Sequence, residues 1–333
     1  MTQRFTASHW LGSLATVAGI VALCVGGLLA AAGSAAVWVT QIGAPAQAYV
    51  DVRQGDAVAT MSARLHDLGL TVSPGVLQWY WRLRGGPSLH PGRYSLSGII
   101  TVDQAYERLA TGGPMTVRVT IPEGWTLRKM AARFHDEAGI PQESFMDAAV
   151  DTNGASLEGY LFPDTYDVVY AGDPAEIIAR MRTRFAGVLP AGFDTAAQRR
   201  ELTTFQLVIA ASVIEREARF DDDRPLIASV LFNRLEVGML LQMDATLEYV
   251  LASHEGFFSY EQLKYDSPYN TYVYPGLPPG PICSPGLASL AAAVDAPTSP
   301  YYYFLAKPDG HCVFARTFAE HQRNMRLYLP GGN

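Results

Sequence analysis

The chain has only three cysteines among its 333 residues, which limits the kinds of fold and site that it can have. Cys24 lies in a long apolar segment, whereas Cys283 and Cys312 lie towards the other end of the chain. Three cysteines are too few for a disulfide scaffold, and their spacing does not match a zinc site. The sequence leaves open one bridge, between Cys283 and Cys312. The seven histidines are scattered along the chain, so we expect no metal site.

Positive charge is also sparse. The chain carries 25 Lys and Arg residues against 32 Asp and Glu residues, a formal net charge of −7. It has no Lys/Arg-rich stretch and no recognition motif, so we expect no nucleic-acid partner. The common catalytic motifs are missing too, since there is no HExxH, Walker loop, GxSxG or GxGxxG after a strand. The enzyme classes that depend on those motifs are therefore excluded.

Charge of either sign is nearly absent from the start of the chain. Between Thr6 and Val50, only His9 could carry charge, and residues 10–39 are almost wholly apolar or small. About 20 such residues span a bilayer. A cleaved signal peptide is the alternative, because the AQA sequence at 46–48 is typical of a cleavage site. However, the apolar segment of a signal peptide usually runs for only about 7–15 residues.

We therefore predict an uncleaved, single-pass transmembrane anchor at residues 10–39, preceded by a cytoplasmic tail at residues 1–9. Large domains are translocated with little regard to their charge. The rest of the chain is accordingly expected outside the cytoplasmic (inner) membrane, on its periplasmic or extracytoplasmic side.

Beyond the anchor, strand and helix patterns are mixed, which predicts an α+β fold. Residues 40–114 contain a strand–turn–helix pattern, and residues 115–156 partly repeat it as a second unit. Units of this kind resemble LysM-type carbohydrate-binding modules, with a generic α+β unit as the alternative. We expect residues 157–333 to form a larger domain of mixed helices and strands, which contains the candidate catalytic residues.

One segment of that larger domain, residues 265–286 (YDSPYNTYVYPGLPPGPICSPG), is rich in proline, glycine and tyrosine. This composition is too rigid and too aromatic for a flexible linker. It predicts an ordered irregular loop, and such loops are where binding and catalytic residues concentrate. Aromatic side chains suit a sugar-binding groove, because sugar rings present C–H faces to them.

The candidate catalytic acids lie in three segments, which contain Glu158 and Asp164, Glu215 and Glu217, and Asp244. Glu215 follows an apolar run, FQLVIAASVI. Apolar walls can raise the pKa of a carboxyl until it stays protonated near neutral pH, as a general acid requires. The helix is apolar on every side, so periodicity cannot choose between Glu215 and Glu217. The alternative is that both glutamates are solvated residues beyond the buried part of the helix and have no catalytic role.

Several segments from residue 157 onward resemble the endolytic murein transglycosylases of the YceG-like family. They occur in the family's order, after an anchor and a LysM-like unit, and they read LEGYLFPDTY (157–166), ASVIEREA (211–218), IASVLFNRLEVGMLLQMDATLEYVL (227–251), YNTYVYPGLPPGPICSPG (269–286) and YYYFLAKPDGHCVFARTFAEH (301–321). The family usually carries an Asn before the proline of the GPI-x-x-P-G turn. This chain has Cys283 and Ser284 there, which puts in doubt the polar contact that the Asn makes in relatives.

The resemblance implies a bacterial membrane protein that cuts nascent peptidoglycan glycan strands between MurNAc and GlcNAc and leaves 1,6-anhydro-MurNAc ends. The family's catalytic glutamate is the first acid of an E-x-E helix, which is Glu215 in this chain. One glutamate acts first as acid and then as base, so no metal or cofactor is required. Glycan strands are the implied substrate, and peptidoglycan synthases are candidate partners.

We expect seven further residues to line the substrate groove, namely Glu158, Tyr160, Gln242, Asp244, Tyr269, Asn270 and Tyr272. Two other functions stay open. The first is a muramidase-type hydrolase, in which a second carboxylate from Glu158, Asp164 or Asp244 assists, because most glycoside hydrolases use two carboxylates. The second is a membrane-anchored protein that binds peptidoglycan without cutting it.

Overall fold

The computed structural model describes residues 48–69, 74–96, 101–251 and 258–329. The predicted anchor at 10–39 lies outside these residues. Within the described ranges, no helix is both long and apolar enough to cross a membrane. The chain divides into two compact units, Met1–Met115 and Thr116–Asn333, which we describe separately. Both mix helices with small antiparallel sheets, as an α+β fold requires.

The first unit is built on a two-stranded sheet. Strands β1 (Tyr49–Val52) and β2 (Gly92–Ser95) pair antiparallel, and their inward side chains meet three helices, which are α1 (Val58–Asp67), α2 (Pro74–Leu83) and α3 (Val102–Ala110). Thr101 caps α3, because its side chain accepts a hydrogen bond from the backbone N–H of Gln104. The segment 101–113 (TVDQAYERLATGG) predicts this helix from the sequence, because Thr101 precedes a helical pattern that ends at two glycines. The LysM-like assignment stays a prediction.

The second unit begins with a sheet that joins distant parts of the chain. Strand β3 (Thr116–Thr120) pairs antiparallel with β4 (Thr165–Val169). Helices α4 (Leu127–Ala138), α5 (Gln142–Ala148) and α6 (Pro174–Val188) follow in sequence and share one hydrophobic core with the sheet. The strand of the predicted second strand–turn–helix unit therefore pairs with a strand from the region beyond residue 157.

A helical layer forms the centre of the second unit. It contains α7 (Phe193–Arg199), α8 (Thr204–Glu217), α9 (Arg224–Glu236), α10 (Asp244–Leu251) and α12 (Leu287–Val294), with the short α11 (Tyr260–Leu263) in the connection before the proline-rich loop. Helix α8 packs against α7, α9, α10 and α12. Every residue of α8 from Leu207 to Glu215 is buried, which explains why its sequence is apolar on all sides.

A hairpin and a helix complete the described chain. Strands β5 (Tyr303–Ala306) and β6 (Cys312–Ala315) pair antiparallel, which confirms the hairpin that the segments YYYFLA (301–306) and HCVFA (311–315) predict. Helix α13 (Phe318–Tyr328) packs on both strands. Thr317 caps this helix by accepting a hydrogen bond from the backbone N–H of Glu320. The segment 317–329 (TFAEHQRNMRLYL) predicts both the helix and this cap from the sequence.

The two cysteines of this unit are not bridged. Cys283 and Cys312 are both free thiols. Cys283 is fully buried, its thiol donates to the backbone carbonyl of Ser212 at 3.3 Å, and burial raises its pKa. It therefore serves as a small core residue, and the bridge that the sequence left open is absent.

Candidate functional site

Glu215 lies in the last turn of α8, and two other elements hold its carboxylate. The guanidinium of Arg224, at the start of α9, lies 3.2 Å from Oε1. The backbone N–H of Gly286, at the end of the proline-rich loop, donates to Oε2 at 3.0 Å. Glu215 is only 9% exposed. Its carboxylate is therefore fixed where α8, α9 and α12 meet.

Arg224 is the buried cation of this site. Its Nε donates to the hydroxyl of Ser289 in α12 at 2.8 Å, and its Nη1 pairs with Asp221. The sequence predicts apolar walls around Glu215, and the residues that precede it in α8, Ala211 and Ile214 among them, are buried. The contacts of the carboxylate itself are polar, namely the guanidinium of Arg224 and the N–H of Gly286. A short 3₁₀ turn at Asp221–Asp223 turns the chain into α9, and Arg224 is the first residue of that helix.

A second carboxyl, which the sequence motifs do not indicate, lies beside Glu215. Glu123 belongs to the turn between β3 and α4, and its carboxyl accepts a hydrogen bond from the backbone N–H of Leu287. It lies directly over Gly286, where an added Cβ would be 2.0 Å from the Glu123 carboxyl carbon. Consecutive N–H groups at the start of α12 thus bind two different carboxyls, which we call the carboxyl pair (Glu123 and Glu215).

The electrostatics of the carboxyl pair follow from this arrangement. Burial raises the pKa of Glu123, the neighbouring charge of Glu215 raises it further, and the guanidinium of Arg224 opposes both effects. Gly124 follows in the same turn with φ of 73°, and an added Cβ there would lie 3.6 Å from Cγ of Glu215. The Pro-Glu-Gly sequence of this turn was the available signal, since glycine permits the positive φ that brings the turn against α8.

Glu217, the second acid of the E-x-E motif, faces a different neighbour. Its carboxyl accepts a hydrogen bond from the backbone N–H of Ala245 at 3.1 Å, at the start of α10. Burial raises its pKa to about 7, with further contributions from Asp244 and Glu248. A helix N-terminus favours an acceptor at this position. Glu217 therefore joins α8 to α10, whereas Glu215 joins α8 to α9 and α12.

The raised pKa of Glu217 predicts a pH-dependent stability. Because the pKa is about 7 in the folded chain and ordinarily 4.5, the folded state binds more protons between these values. The free energy of unfolding should therefore fall as pH rises from about 4.5 to 7, and then level off. Glu217→Gln should remove up to about 3 kcal/mol of this fall.

Thermal unfolding of the full-length chain in a mild detergent, at pH 5 and pH 8, measures that effect. The matched control is Glu137→Gln, because Glu137 is exposed on α4 and pairs with Arg133 on the surface. The control should keep the wild-type pH dependence. If Glu217→Gln also keeps it, Glu217 is not the titrating group.

The three acids proposed as a second carboxylate each have a partner of their own. Glu158 is buried, accepts the backbone N–H of Leu127 at 3.1 Å at the start of α4, and has a pKa raised by burial to about 7. Asp164 pairs with Arg184 at 2.9 Å. Asp244 accepts a hydrogen bond from the Tyr272 hydroxyl. No hydrogen bond links any of these three to Glu215 within the described residues.

The tyrosines that we expect to line the groove pack against different neighbours. Tyr160 is half-buried, with ring centroids 5.2 Å from Phe185 and 6.4 Å from Phe205. The ring of Tyr269 packs 5.0 Å from that of Tyr249, and Tyr249 is also hydrogen-bonded to Glu158. Glu158 and Tyr269 are therefore brought to one place. The contact of these residues with substrate stays a prediction.

Asn270 and Gln242 are held by the proline-rich loop. Asn270 is fully buried, and its side-chain amide donates to the carbonyls of Leu263 and Tyr265 while its oxygen accepts from the N–H of Tyr272. Its polar atoms are thus occupied within the loop. Gln242 adopts a left-handed backbone with φ of 48°, and its N–H donates to Thr271 at 3.0 Å. Their roles as substrate contacts stay predictions.

The turn that departs from the family pattern contains an unpaired hydroxyl. Ser284 is fully buried, its N–H donates to the carbonyl of Trp125, and its carbonyl accepts from the N–H of Gly124. Among the described residues, no partner satisfies its hydroxyl. The backbone of Ser284 therefore fixes the turn that carries Glu123. Within the residues that the structure describes, no three His, Cys, Asp or Glu side chains are grouped as a metal site would need.

Comparison with known proteins identifies the family. The model of the YceG-like family matches residues 50–327. A Bacillus subtilis protein named endolytic murein transglycosylase is 30% identical over 307 residues, which cover 85% of each chain. A Streptococcus pneumoniae protein of the same name is 28% identical over 320 residues, which cover 84% of this chain and 58% of the relative.

A solved structure agrees with this match. The crystal structure of a YceG-like protein from Listeria monocytogenes is similar with a TM-score of 0.58 and 29% sequence identity. The similarity covers 84% of this chain and 99% of that one. The resemblance inferred from the motifs is confirmed, and the chain belongs to the YceG-like family.

Proposed function

We propose that the chain is an endolytic murein transglycosylase, in which Glu215 is the single acid and base. The observation that carries this proposal is the placement of Glu215, which is buried at the end of an apolar helix and fixed by Arg224 and the N–H of Gly286. Relatives named endolytic murein transglycosylase match most of the chain. The substrate is the glycan strand of nascent peptidoglycan.

The reaction needs one proton donor that later accepts a proton. Protonated Glu215 donates to the oxygen of the MurNAc–GlcNAc bond as the bond from that oxygen to C1 of MurNAc breaks, and the GlcNAc hydroxyl leaves. The resulting carboxylate removes the proton from the MurNAc 6-hydroxyl as its oxygen bonds to C1. The products are a 1,6-anhydro-MurNAc end and a free GlcNAc end, and Glu215 is protonated again. Water is not consumed, and the chemistry requires no metal or cofactor.

Arg224 suits the second half of this cycle, in which Glu215 is a carboxylate. A guanidinium 3.2 Å from Oε1 stabilises the carboxylate that forms when the proton leaves, because opposite charges favour the ionised form. The N–H of Gly286 stabilises the other oxygen. Both groups are held by backbone or buried contacts, so they need little rearrangement during the reaction.

The cellular setting belongs to the same proposal. Residues 10–39 anchor the chain in the cytoplasmic membrane, and the part from about residue 44 onward lies on the periplasmic or extracytoplasmic side. There it meets new strands beside the peptidoglycan synthases. The LysM-like unit, residues 40–114, contributes to holding the glycan. The apolar composition of residues 10–39 supports the anchor.

Product analysis tests the proposed function. Full-length chain in a mild detergent is incubated with uncrosslinked glycan strands in ¹⁸O-labelled water, and the new ends are measured by mass spectrometry. We expect anhydro ends that lack ¹⁸O, together with fragments of intermediate length early in the reaction. Reducing ends that contain ¹⁸O would support the hydrolase instead. Binding without any cleavage would support the non-catalytic alternative.

A further inference from the structure

Helix α2 of the first unit carries two large apolar side chains on the side that faces away from the core. Leu77 and Trp81 are buried and pack the helix into the first unit. Trp79 and Leu83 are 64% and 65% exposed, and the helical period places them opposite the buried pair. Residues four apart on a helix are neighbours on its surface. With Arg82 beside them, they form one surface, which we call the α2 face (Trp79, Arg82 and Leu83).

The composition of the α2 face is that of a contact surface. Tryptophan is highly buried on average, and adjacent exposed apolar side chains mark interaction sites more often than single ones do. Arg82 is exposed as well, and within the described residues it has no ion-pair partner, whereas Arg84 pairs with Glu107 at 2.7 Å. The α2 face therefore presents an aromatic ring, an aliphatic side chain and a guanidinium to its surroundings.

The short connection to the predicted anchor limits what the first unit can meet. Strand β1 begins at Tyr49, and nine residues separate it from residue 39, where the predicted anchor ends. Nine residues span at most about 30 Å when fully extended. The first unit is therefore held close to the membrane surface. A short tether also gives a weak contact a high effective concentration, so a small surface is sufficient.

The charge of the first unit also favours a lipid surface. Residues 48–115 contain six arginines and five acidic residues, whereas residues 116–333 contain 18 basic and 27 acidic residues. Membranes that contain anionic lipids attract basic groups near their surface and repel acidic ones. The unit next to the predicted anchor therefore lacks the excess of negative charge that the rest of the chain carries.

We propose that the α2 face binds the extracytoplasmic surface of the membrane, with Trp79 and Leu83 in the lipid interface and Arg82 on lipid phosphates. The proposal rests on the anchor of the proposed function. Tryptophan is enriched at membrane interfaces, where its ring is in an apolar setting and its N–H in a polar one. Arginine binds phosphates while its apolar stem stays in the interface. A glycan fits less well, because ligand sites are concave and the outer side of a helix is convex.

Nitroxide-labelled lipids test this contact. The five tryptophans of the full-length chain are replaced by 5-fluorotryptophan, and single substitutions by phenylalanine assign their ¹⁹F NMR signals. Spectra are recorded with one chain in each nanodisc of phosphatidylethanolamine and phosphatidylglycerol, with and without a lipid that carries a nitroxide near its headgroup. The nitroxide should broaden the Trp79 signal until most of it is lost, and the signal of the buried Trp81 less. A Trp79 signal that is not broadened would overturn the proposal.

The same spectra test the anchor separately. Trp10 and Trp38 lie near the two ends of the predicted anchor, so the nitroxide should broaden their signals as well. If Trp10 and Trp38 are broadened but Trp79 is not, the anchor is supported and the proposed contact fails. If none of the three signals is broadened, the anchor fails and the contact fails with it.

A charged substitution provides a matched comparison. Leu83→Glu places a negative charge on the α2 face and should remove most of the broadening of Trp79. The control is Leu327→Glu, because Leu327 is 67% exposed and lies in the last turn of α13, as Leu83 does in α2. The control should keep the wild-type broadening. Equal broadening of Trp79 in the two variants would contradict the contact.

Other occupants of the α2 face give different results. A Trp79 signal that shifts with added glycan strands, without broadening by the nitroxide, would assign the face to glycan. A Trp79 signal that changes only in nanodiscs with two chains would assign it to a second copy. Either result would overturn the proposal. In detergent, Leu83→Glu should cut glycan at the wild-type rate, and a loss of rate would also count against it. If Trp79 is broadened but wild type cuts no glycan, the catalytic function fails and the contact stands.

Discussion

Glu215→Gln should reduce the rate of glycan cleavage at least about 10³-fold. Positioned acid–base catalysis contributes about 10²–10⁴-fold, and in the proposed mechanism one group performs both the proton donation and the proton removal. The amide keeps the shape of the side chain, and its oxygen can still accept the N–H of Gly286. Rates of release of anhydro-ended fragments, measured with the full-length chain, test this expectation.

The matched control for that variant lies two residues along the same helix. Glu217 is also a glutamate of α8, but its carboxyl contacts the N–H of Ala245 instead of Gly286. Glu217→Gln keeps an acceptor for that N–H and should lose far less activity. Circular dichroism shows whether both variants are folded. Near wild-type turnover in a folded Glu215→Gln protein would refute the assignment of the catalytic acid.

Arg224→Met should destabilise the second unit by about 3 kcal/mol at pH 8. Removing one partner of a buried ion pair leaves a charge without compensation, which typically costs about 3–5 kcal/mol. The side chains of Arg224 and Glu215 are only 8% and 6% exposed. Methionine fills a similar volume but cannot bind the carboxyl or Ser289.

This loss should depend on pH in a defined direction. The charge of Arg224 lowers the pKa of Glu123, so without Arg224 the Glu123 carboxyl binds a proton more readily in the folded state. The destabilisation should therefore be smaller at pH 5 than at pH 8.

Thermal unfolding at the two pH values measures this difference. The matched control is Arg216→Met, because the Arg216–Glu248 pair is 38% and 40% exposed. Exposed pairs of this kind contribute less than about 1 kcal/mol. Equal losses in the two variants would contradict the structural role of the buried pair.

Local features of the fold were predictable because their causes are local. The apolar run before Glu215 predicts a helix buried on every side, and α8 is one. Thr101 and Thr317 precede helices whose first turns have N–H groups without a partner inside the helix. Each threonine side chain accepts a hydrogen bond from one of these N–H groups. The apolar strands around the PDG turn predict the β5–β6 hairpin.

The composition of the candidate site depends on contacts that no local pattern encodes. Arg224 reaches Glu215 because a 3₁₀ turn leads from α8 into α9. Glu123 arrives from a turn far away in sequence, after β3 has paired with β4. Periodicity could not decide between Glu215 and Glu217, because their different roles depend on where α10 and α12 begin.

Asn270 shows a different limit of sequence reasoning. In a proline-rich loop, many backbone carbonyls lack the partners that a helix or strand would give them. The Asn270 amide supplies two such partners, at Leu263 and Tyr265, from a fully buried position. In the sequence, Asn270 is only a polar residue between tyrosines, and this pattern is equally typical of a sugar-binding contact.

The most direct test of the central claim is a crystal structure of the Glu215→Gln variant with an uncut glycan oligomer bound. If Glu215 is the catalytic acid, the oxygen of a MurNAc–GlcNAc bond should lie within hydrogen-bond reach, about 2.6–3.2 Å, of the side-chain amide at position 215. Glu123 should lie beside that amide without lying closer to the bond. A glycan whose nearest bond faces Glu158 or Glu217 instead, with position 215 beyond reach, would contradict the assignment of Glu215.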